Sequence, residues 1–314
     1  MPLLRENEGK YRMRNILVTG GTVFVSKFVA EYFVKKGDRV FALNRNTRPQ
    51  VKGVTLIEGD RNRLGDTLKG YRFDVVLDIT AYTKDNVENL INVLGDIQDY
   101  IFISSSAVYP ETLPQPFKED QECGANSVWG DYGIRKLEAE KYLTEHVPQA
   151  YILRPPYLYG PMQNIYREPF VFECAKNDRP FYIPKDGSMN LQFFHVEDLC
   201  RFIDVLLEKK PGNHIFNVGN KDVVNINKWV QLCYDVVGKA LKVINVDSSH
   251  AQRSYFPFYD YEYQLDVSKQ TELMPDTKSL YEGLRESWQW YCAHSDLVNK
   301  KPFFEYIDEN LSHG

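Results

Sequence analysis

The chain has few cysteines, and their arrangement argues against two classes of protein. The five cysteines are Cys123, Cys174, Cys200, Cys233 and Cys292. Their odd number and scattered positions argue against a disulfide framework, and no pair has the CxxC spacing of a zinc or redox motif. The histidines show no ligand spacing for zinc either, so we expect no metal. This usage fits a reducing compartment, and we expect a cytoplasmic protein.

Long apolar runs are also missing. No run approaches the roughly 20 residues that a helix needs to span a bilayer. The first dozen residues, MPLLRENEGKYR, lack the apolar core and cleavage site of a signal peptide. Met13 stands just before the first predicted strand, so residues 1–12 are expected to be an upstream extension. We therefore expect a soluble protein with no membrane partner.

The chain has no excess of positive charge. Its 38 Lys and Arg residues are outnumbered by 43 Asp and Glu, which gives a net charge of −5. Proteins built to bind nucleic acid neutralise phosphates with clustered Lys and Arg, so nucleic acid is not the expected partner. We expect a small-molecule substrate instead.

What the first half of the sequence has is a regular alternation of strand-like and helix-like segments. The strand-like segments are residues 14–19, 39–43, 54–58, 74–78, 100–104 and 150–154, and the helix-like ones are residues 27–36, 85–94 and 131–145. The strands are apolar almost throughout, which is typical of a sheet covered on both faces. This alternation predicts an α/β fold: a Rossmann-type, doubly wound parallel sheet.

After about residue 160 the alternation weakens and Pro, Tyr and Phe become frequent. Helical patterns there cover residues 196–208 and 227–237. We expect residues 13–160, with later returning segments, to form an NAD(P)-binding Rossmann domain. Residues 161–300 are expected to form most of a smaller, irregular α/β substrate-binding part. The charged and aromatic residues 299–314 are expected to be a surface tail.

The loop after the first strand, GGTVFVS, lacks two of the three glycines of a dinucleotide-binding fingerprint. Gly20 keeps the first glycine, which permits the tight turn, whereas Val23 and Ser26 replace the other two. Ser26 is small enough for close packing of helix on strand, but the branched side chain of Val23 can crowd the phosphates. Backbone N–H groups at a helix N-terminus still favour a pyrophosphate. The loop alone leaves a working cofactor site and a purely structural turn equally open.

Tyr132 and Lys136 lie four residues apart in DYGIRK, which places them on one face of the predicted helix. A lysine ammonium beside a phenol favours the phenolate and is expected to lower the tyrosine pKa. Such a tyrosine can exchange a proton with a substrate while hydride moves. A serine at the end of the preceding SSS segment can hydrogen-bond the same substrate oxygen. YxxxK alone also occurs on solvated helices, so the signal lies in the combination.

Together these motifs resemble the extended short-chain dehydrogenases/reductases of the NAD-dependent epimerase/dehydratase family. The matching segments follow the family's order: VTGGTVF, the GD at 59–60, DITAY at 78–82, SSSAVY at 104–109, YGIRK at 132–136, LRPPYLYGP at 153–161, FHVEDL at 194–199 and IFNVG at 215–219. The resemblance implies an NAD(P)-dependent oxidoreductase or isomerase acting on a hydroxyl or carbonyl of a sugar-like substrate, with nucleotide sugars among the candidates. It also implies a homodimer. It does not distinguish an epimerase from a dehydratase or a reductase.

The resemblance also assigns roles to residues. Tyr132 would be the general acid/base, Lys136 would hold the nicotinamide ribose and Ser105 would polarise the substrate oxygen. The candidate substrate contacts are Ser106, Tyr157, Asn164, Gln192 and Arg253. The candidate cofactor contacts are Gly20, Gly21, Thr22, Val23, Phe24 and Val25 at the pyrophosphate, Asn44 and Arg45 at the adenosine ribose, Asp60 and Arg61 at the adenine, and Ala81, Tyr82, Ser104, Pro155 and Pro156 towards the nicotinamide.

Two departures from the family pattern bear on the ligands. Asn44 stands where an acidic residue would bind the ribose hydroxyls of NAD; with Arg45 next and Arg48 close, NAD and NADP are equally open. Leu191 stands where nucleotide-sugar epimerases carry an arginine that grips the diphosphate. Either another cation, Lys185 or Arg253, replaces that arginine, or the substrate is not a nucleoside-diphosphate sugar.

The GGT-x-F form of the loop is similar to a branch of the family that includes the chloroplast stem-loop-binding proteins. The alternative hypothesis is therefore a catalytically weak binding protein for RNA or a regulatory nucleotide. The joint presence of Ser105, Tyr132 and Lys136 favours the enzyme. His195, at the start of a predicted helix, is expected to cap that helix rather than to catalyse.

Overall fold

Residues 12–312 are described by the structure, a computed structural model, and most of the expected extension at residues 1–12 lies outside that range. The strands are β1 (Asn15–Thr19), β2 (Arg39–Asn44), β3 (Thr55–Glu58), β4 (Val75–Asp78), β5 (Asp99–Ile103), β6 (Tyr151–Arg154), β7 (Tyr157–Tyr159), β8 (Phe181–Pro184), β9 (Asn190–Leu191), β10 (Phe193–His195), β11 (Ile215–Asn217), β12 (Val224–Asn225) and β13 (Val243–Val246). The α-helices are α1 (Phe24–Lys35), α2 (Lys84–Ile91), α3 (Asp131–His146), α4 (Glu168–Lys176), α5 (Val196–Lys209), α6 (Ile226–Val237), α7 (Ser268–Leu273), α8 (Leu280–His294) and α9 (Phe303–Asn310). Among these helices none is both long and apolar enough to cross a membrane.

Seven parallel strands form the central sheet, in the order β11-β6-β5-β4-β1-β2-β3. From β1 the chain adds β2 and β3 on one side, then crosses to add β4, β5 and β6 on the other. The connections that leave the carboxyl ends of β1 and β4 therefore diverge, which opens a crevice of the kind that receives ligands in doubly wound sheets. The predicted Rossmann-type fold is confirmed.

Helices cover both faces of this sheet, which explains its apolar strands. Successive residues of a strand point to opposite faces. Ile16 and Val18 accordingly pack in a cluster with α1 and α5, while Leu17 packs in another cluster with α2 and α3. Each fully buried Ile, Val or Leu contributes about 1.5–3 kcal/mol relative to an exposed one. The burial of both faces fixes the positions of the strand ends that carry the site.

A second core, rich in aromatic residues, lies in what we call the small lobe, made of β8, β13, α4, α6, α8 and α9. Its centre includes Phe170, Trp229 and Phe256, all completely buried. Trp229 stacks on Phe193 of β10 with ring centroids 6.0 Å apart. This contact joins the small lobe to the strand that leads into α5.

The expected surface tail at residues 299–314 is wrong for residues 303–310. Residues Phe303–Asn310 form α9, whose buried Phe303 and Ile307 lie one helical turn apart. Phe303 packs against Phe170 of α4 with ring centroids 4.8 Å apart. This helix is therefore part of the small-lobe core, because Phe303 and Ile307 share its buried face. Phe304 and Tyr306 are partly buried against the same core.

A polar cluster ties the start of α5 to α8. His195 Nδ1 accepts a hydrogen bond from the Glu197 N–H at 3.3 Å, so His195 caps α5, as predicted. Lys278 donates to the carboxylates of both Glu197 and Glu286. His195, Glu197 and Glu286 each offer a ligand atom within 4.8 Å of the others, which is close enough to hold a metal ion. The Lys278 ammonium already supplies positive charge to the two carboxylates.

Candidate active site

The glycine loop begins with two residues whose conformation favours glycine. Gly20 and Gly21 have φ values of 90° and 86°, in the left-handed region. A Cβ on Gly20 would also lie 2.7 Å from Thr80 Cγ2, and one on Gly21 would lie 3.0 Å from Ala42 Cβ. The turn between β1 and α1 is therefore as tight as in a complete fingerprint. Ser26 fits where the third glycine is missing because its small side chain lies buried and donates to the Val23 carbonyl at 3.0 Å.

Helix α1 starts directly behind this turn, three residues earlier than predicted. Its N-cap residue is Val23, which has an extended backbone conformation. Among residues 12–312, no side-chain hydrogen bond from this position caps the first turn. Helix N–H groups without a side-chain cap are donors for an anion, and the helix dipole favours negative charge there. The first turn of α1 thus presents its backbone N–H groups as it would behind a fingerprint glycine. The difference is the branched side chain of Val23.

Two cavities meet at Val23, on the carboxyl side of the sheet. The β2-side cavity, about 400 Å³, includes Gly20, Thr22, Asn44, Arg45, Asp60 and Arg61 in its lining. The β5-side cavity, about 360 Å³, includes Phe24, Val25, Ser105, Tyr132, Lys136, Pro155, Pro156, Tyr157 and Asn164. Val23 and Tyr82 line both. Most sequence-predicted site residues therefore surround one divided crevice.

Gly21 and Ala81 contribute differently from their neighbours, since neither lines the cavities. Gly21 lets the turn pass Ala42, and Ala81 is completely buried. The Ala81 carbonyl oxygen accepts from Lys136 Nζ at 2.6 Å. Both residues shape the crevice through the backbone.

Arg61 is held by a buried carboxylate. Its guanidinium donates to both oxygens of Asp78, at 2.9 and 3.1 Å, and to the Asn86 carbonyl at 2.8 Å. Burial disfavours the charge on Asp78, but the charge and hydrogen bonds of Arg61 outweigh it and lower the pKa of Asp78. This pair fixes the loop after β4, so Arg61 lines the β2-side cavity with its charge already matched.

The β5-side cavity holds the predicted reacting groups. Ser105 and Tyr132 both line this cavity, and the Ser105 hydroxyl accepts from the Ala107 N–H at 3.1 Å. Tyr132 stands at the cavity mouth, 40% exposed, with its ring 6.4 Å from that of Tyr82. Desolvation by the surrounding walls raises the pKa of Tyr132, against the opposing effect of the Ser105 hydrogen bond. The phenol is therefore a proton donor at neutral pH.

Lys136 lies behind these groups rather than bonded to them. Its Nζ is buried, donates to the carbonyls of Ala81 and Ile103 at 2.6 and 2.8 Å, and lies 4.9 Å from the Tyr82 ring centroid. Burial lowers the pKa of Lys136 to about 7, although Asp78 and Glu140 act in the opposite direction. The expectation that Lys136 lowers the pKa of Tyr132 is not met, because burial dominates at both residues.

The side chains of three candidate contacts are buried. Ser104 donates to Glu140, a residue that also forms a buried ion pair with Arg154. Ser106 is buried and does not line the β5-side cavity. The Gln192 carboxamide accepts from the Leu265 N–H at 2.8 Å and donates to the carbonyls of Asn220 and Leu265 at 2.9 and 3.2 Å. Ser104 still lines the β5-side cavity, whereas Ser106 and Gln192 line neither of the two cavities.

Neither of the two cations expected to replace the missing arginine takes that place. Leu191 is buried in the small-lobe core. Lys185 pairs with Asp260 at 2.7 Å, and Arg253 lies over the Tyr259 ring, 4.7 Å from its centroid. Neither cation lines the β5-side cavity. Arg167, which sequence reasoning missed, does.

Arg167 is 8% exposed and lies over the ring of Tyr157, 5.5 Å from its centroid. It donates to the Leu158 carbonyl at 2.7 Å, while its Nε has no hydrogen-bond partner within residues 12–312. The only sequence signal was an arginine directly before the predicted-irregular EPFVF segment, which matches no motif. Its position at the cavity depends on the packing of α4 beside β7, which the sequence does not show.

Comparison with known proteins agrees with this geometry. Residues 16–219 match the NAD dependent epimerase/dehydratase family, and the chain belongs to that family of enzymes. The predicted extended short-chain dehydrogenase/reductase membership and the nicotinamide class of cofactor are confirmed.

Individual relatives have different printed functions. The chain is 27% identical over 301 residues to the chloroplast stem-loop binding protein of 41 kDa b of Arabidopsis thaliana, covering 88% of this chain and 78% of that protein. It is 24% identical to a UDP-glucuronate 4-epimerase of Thermodesulfobacterium geofontis, covering 90% and 97%. Its fold matches the crystal structure of UDP-glucose 4-epimerase from Thermotoga maritima with UDP-glucose, with a TM-score of 0.72, 21% identity and coverage of 89% and 99%.

Proposed function

We propose that this protein is an NAD(P)-dependent oxidoreductase or isomerase that acts on a hydroxyl or carbonyl group of a sugar-like substrate, of the epimerase/dehydratase or reductase type. The observation that carries the proposal is the placement of Ser105, Tyr132 and Lys136 in the lining of one cavity, which shares Val23 with the glycine-loop cavity. A dinucleotide lying across Val23 would place its adenosine half in one cavity and its nicotinamide half in the other.

The residues present fit such a cofactor. The uncapped first turn of α1 would bind the pyrophosphate, and Gly20 and Gly21 allow the close approach. Lys136, at the rear of the β5-side cavity, would hold the nicotinamide ribose. When bound, the nicotinamide gives or accepts the hydride.

Tyr132 would move the proton. Because its pKa is raised, the phenol begins protonated and is ready to protonate a carbonyl oxygen as hydride arrives. Ser105 would hydrogen-bond the same oxygen and hold it within reach of the phenol. In the reverse direction Tyr132 would take the proton of a hydroxyl, and positive charge on Lys136 would favour that step.

Arg167 would contact the substrate from the small-lobe side, with Tyr157 and Asn164. The relatives and neighbours whose names include UDP-glucose and UDP-glucuronate make nucleotide sugars the first compounds to test. A homodimer, implied by the resemblance, belongs to the same proposal and is measured by light scattering.

The decisive variant is Tyr132→Phe. Loss of the phenolic proton should reduce turnover by about 10²–10⁴-fold, the usual contribution of a general acid/base, while dinucleotide affinity stays unchanged. Turnover is measured with a panel that includes UDP-glucose and UDP-glucuronate, and affinity by calorimetry with NAD⁺ and NADP⁺. Tyr281→Phe, an exposed tyrosine of α8, is the matched control. Unchanged turnover in Tyr132→Phe would contradict the mechanism.

The alternative is an SDR-fold binding protein for RNA, suggested by the stem-loop binding relative. The intact Ser105, Tyr132 and Lys136 and the net negative charge make it the less supported hypothesis. RNA binding that weakens steeply with salt and is unaffected by Tyr132→Phe, together with no dinucleotide binding, would favour it over the enzyme.

A further inference from the structure

The β2-side cavity differs from an NAD site at the carboxyl end of β2. An NAD enzyme carries an acidic residue there, and its carboxylate accepts hydrogen bonds from the adenosine ribose hydroxyls. Here the residue is Asn44, the last residue of β2, whose side chain has neither a negative charge nor a free acceptor.

The Asn44 carboxamide is fully used within the protein. Its Nδ2 donates to the Gly20 carbonyl at 2.7 Å and to Gln50 Oε1 at 3.0 Å. Its Oδ1 accepts from the Asn46 N–H at 2.9 Å and from Gln50 Nε2 at 3.2 Å. An amide group has two donor and two acceptor sites, so all four are filled. Asn44 stabilises the glycine loop and has nothing left for a ribose hydroxyl.

The same cavity carries unmatched positive charge. Arg45 and Arg48 are exposed residues of its lining, and neither guanidinium has an ion pair or hydrogen bond within residues 12–312. The one carboxylate of the lining, Asp60, accepts from the Asn62 N–H. Arg61 is already matched by buried Asp78. Two free guanidinium groups therefore remain beside the end of β2.

We infer that the β2-side cavity binds adenosine carrying a 2′-phosphate, so that the cofactor is NADP(H) rather than NAD(H). Arg45 and Arg48 would bind the 2′-phosphate, since a guanidinium matches phosphate geometry with charge-assisted hydrogen bonds. This inference rests on the proposed function only in requiring that a dinucleotide occupy the crevice. It adds which nucleotide is selected and which residues select it.

The test is calorimetric titration of the cofactor-free, full-length protein with NADP⁺ and NAD⁺. NADP⁺ should bind at least about tenfold tighter, the effect of one charge-assisted hydrogen bond. Arg45→Ala and Arg48→Ala should each weaken NADP⁺ binding about tenfold and leave NAD⁺ binding within about twofold. Arg63→Ala, an exposed arginine outside the cavity lining, should change neither. Adenosine 2′,5′-bisphosphate against ADP should show the same preference without the nicotinamide half.

The outcomes separate this inference from the proposed function. NAD⁺ binding as tight as NADP⁺ binding would overturn the inference and leave the proposed function standing. Equal weakening of both dinucleotides in the arginine variants would also overturn it. Binding of neither dinucleotide would overturn both. Circular dichroism checks that each variant is folded. Substitution of an exposed arginine is expected to leave the fold intact.

Discussion

Gly133 is the residue at which α3 comes closest to the serine loop after β5. A Cβ built on Gly133 would lie 2.1 Å from the Ala107 carbonyl oxygen. The absence of a side chain therefore allows α3 to bring Tyr132 next to Ser105. Sequence reasoning quoted this glycine within YGIRK without giving it a role, because the partner it approaches is 26 residues away in sequence.

Replacing Gly133 with Ala should separate the two reacting side chains. The added methyl forces α3 away from the Ala107 carbonyl, at a cost of about 1–3 kcal/mol in the free energy of unfolding. Turnover should fall more than dinucleotide affinity. Gly95→Ala is the control, because a Cβ there meets nothing within 4 Å. Denaturant unfolding and turnover measure both effects; a Gly133→Ala protein as stable and active as Gly95→Ala would contradict the argument.

Glu168 is a carboxyl group buried in the first turn of α4. It is 1% exposed, and neither oxygen has a hydrogen-bond partner among residues 12–312. Burial raises the pKa of Glu168, while the nearby charge of Arg167 acts in the opposite direction. The native state therefore holds the proton of Glu168 to higher pH than the unfolded state does.

This difference makes stability fall with rising pH. From about pH 4.5, the ordinary glutamate pKa, up to the raised native pKa, the folded protein binds more protons, so the free energy of unfolding decreases as pH rises. Glu168→Gln should remove this decrease and be the more stable protein at pH 8, within about 1–3 kcal/mol. Urea unfolding at pH 5 and pH 8 measures it, with exposed Glu309→Gln as control. Parallel pH dependence in wild type and Glu168→Gln would contradict this account.

For individual residues, the sequence was informative where spacing alone determines the position of a side chain. Tyr132 and Lys136 share a helix face by their separation, and the structure places both at the β5-side cavity. The sequence did not show that the Ser104 hydroxyl donates to Glu140 or that Gln192 is bonded to Leu265, because these partners are distant in sequence. The pKa direction of Tyr132 was also out of reach, since burial is a property of the folded walls.

Among the elements, α5 and α8 are held together by the charged cluster at their ends. The Lys278 side chain is 16% exposed and donates to Glu286 at 2.6 Å and to Glu197. His195 Nε2 lies 3.5 Å from Glu286 and has no hydrogen bond among the described residues. Burial, with the charge of Lys278, lowers the pKa of His195 to about 3.

Lys278→Met should loosen this junction. Two partly buried carboxylates lose their cation, which should cost about 1–3 kcal/mol of the free energy of unfolding. The variant should also gain stability from Zn²⁺, because an imidazole and two carboxylates then lie close together without the ammonium. Thermal unfolding with and without Zn²⁺ measures both effects. The control is Lys185→Met, whose pair with Asp260 is exposed and should cost less than about 1 kcal/mol. Equal losses of stability in Lys278→Met and Lys185→Met would contradict the claim that this cluster holds α5 and α8 together.

Strands and helices differed in how well the sequence predicted them. The six strand-like segments of the first half all form strands, with ends shifted by at most one residue, because a doubly covered sheet makes each an apolar run. Helix α1 begins at Phe24 rather than at residue 27, since the valine and phenylalanine after the glycines look like a continuing loop. Helix α9 was missed because its segment was interpreted from its charged and aromatic composition rather than from the helical spacing of Phe303 and Ile307.

For the whole molecule, the alternation of strands and helices was enough to predict the doubly wound sheet, and hence the crevice above β1 and β4. The small lobe was not predictable in the same way. Its core is assembled from aromatic residues of helices far apart in the sequence, with no repeating unit. Arg167, the cation that this lobe contributes to the crevice, was missed for the same reason.

The position of α9 bears on the order in which the protein takes shape during synthesis. The last strand of the central sheet, β11, ends at Asn217, so every strand of that sheet is translated before α9, which begins at Phe303. The small-lobe core also needs Phe303 and Ile307, which are translated after the whole sheet. The sheet can therefore assemble first, while Phe170 and its aromatic neighbours remain exposed until α9 emerges.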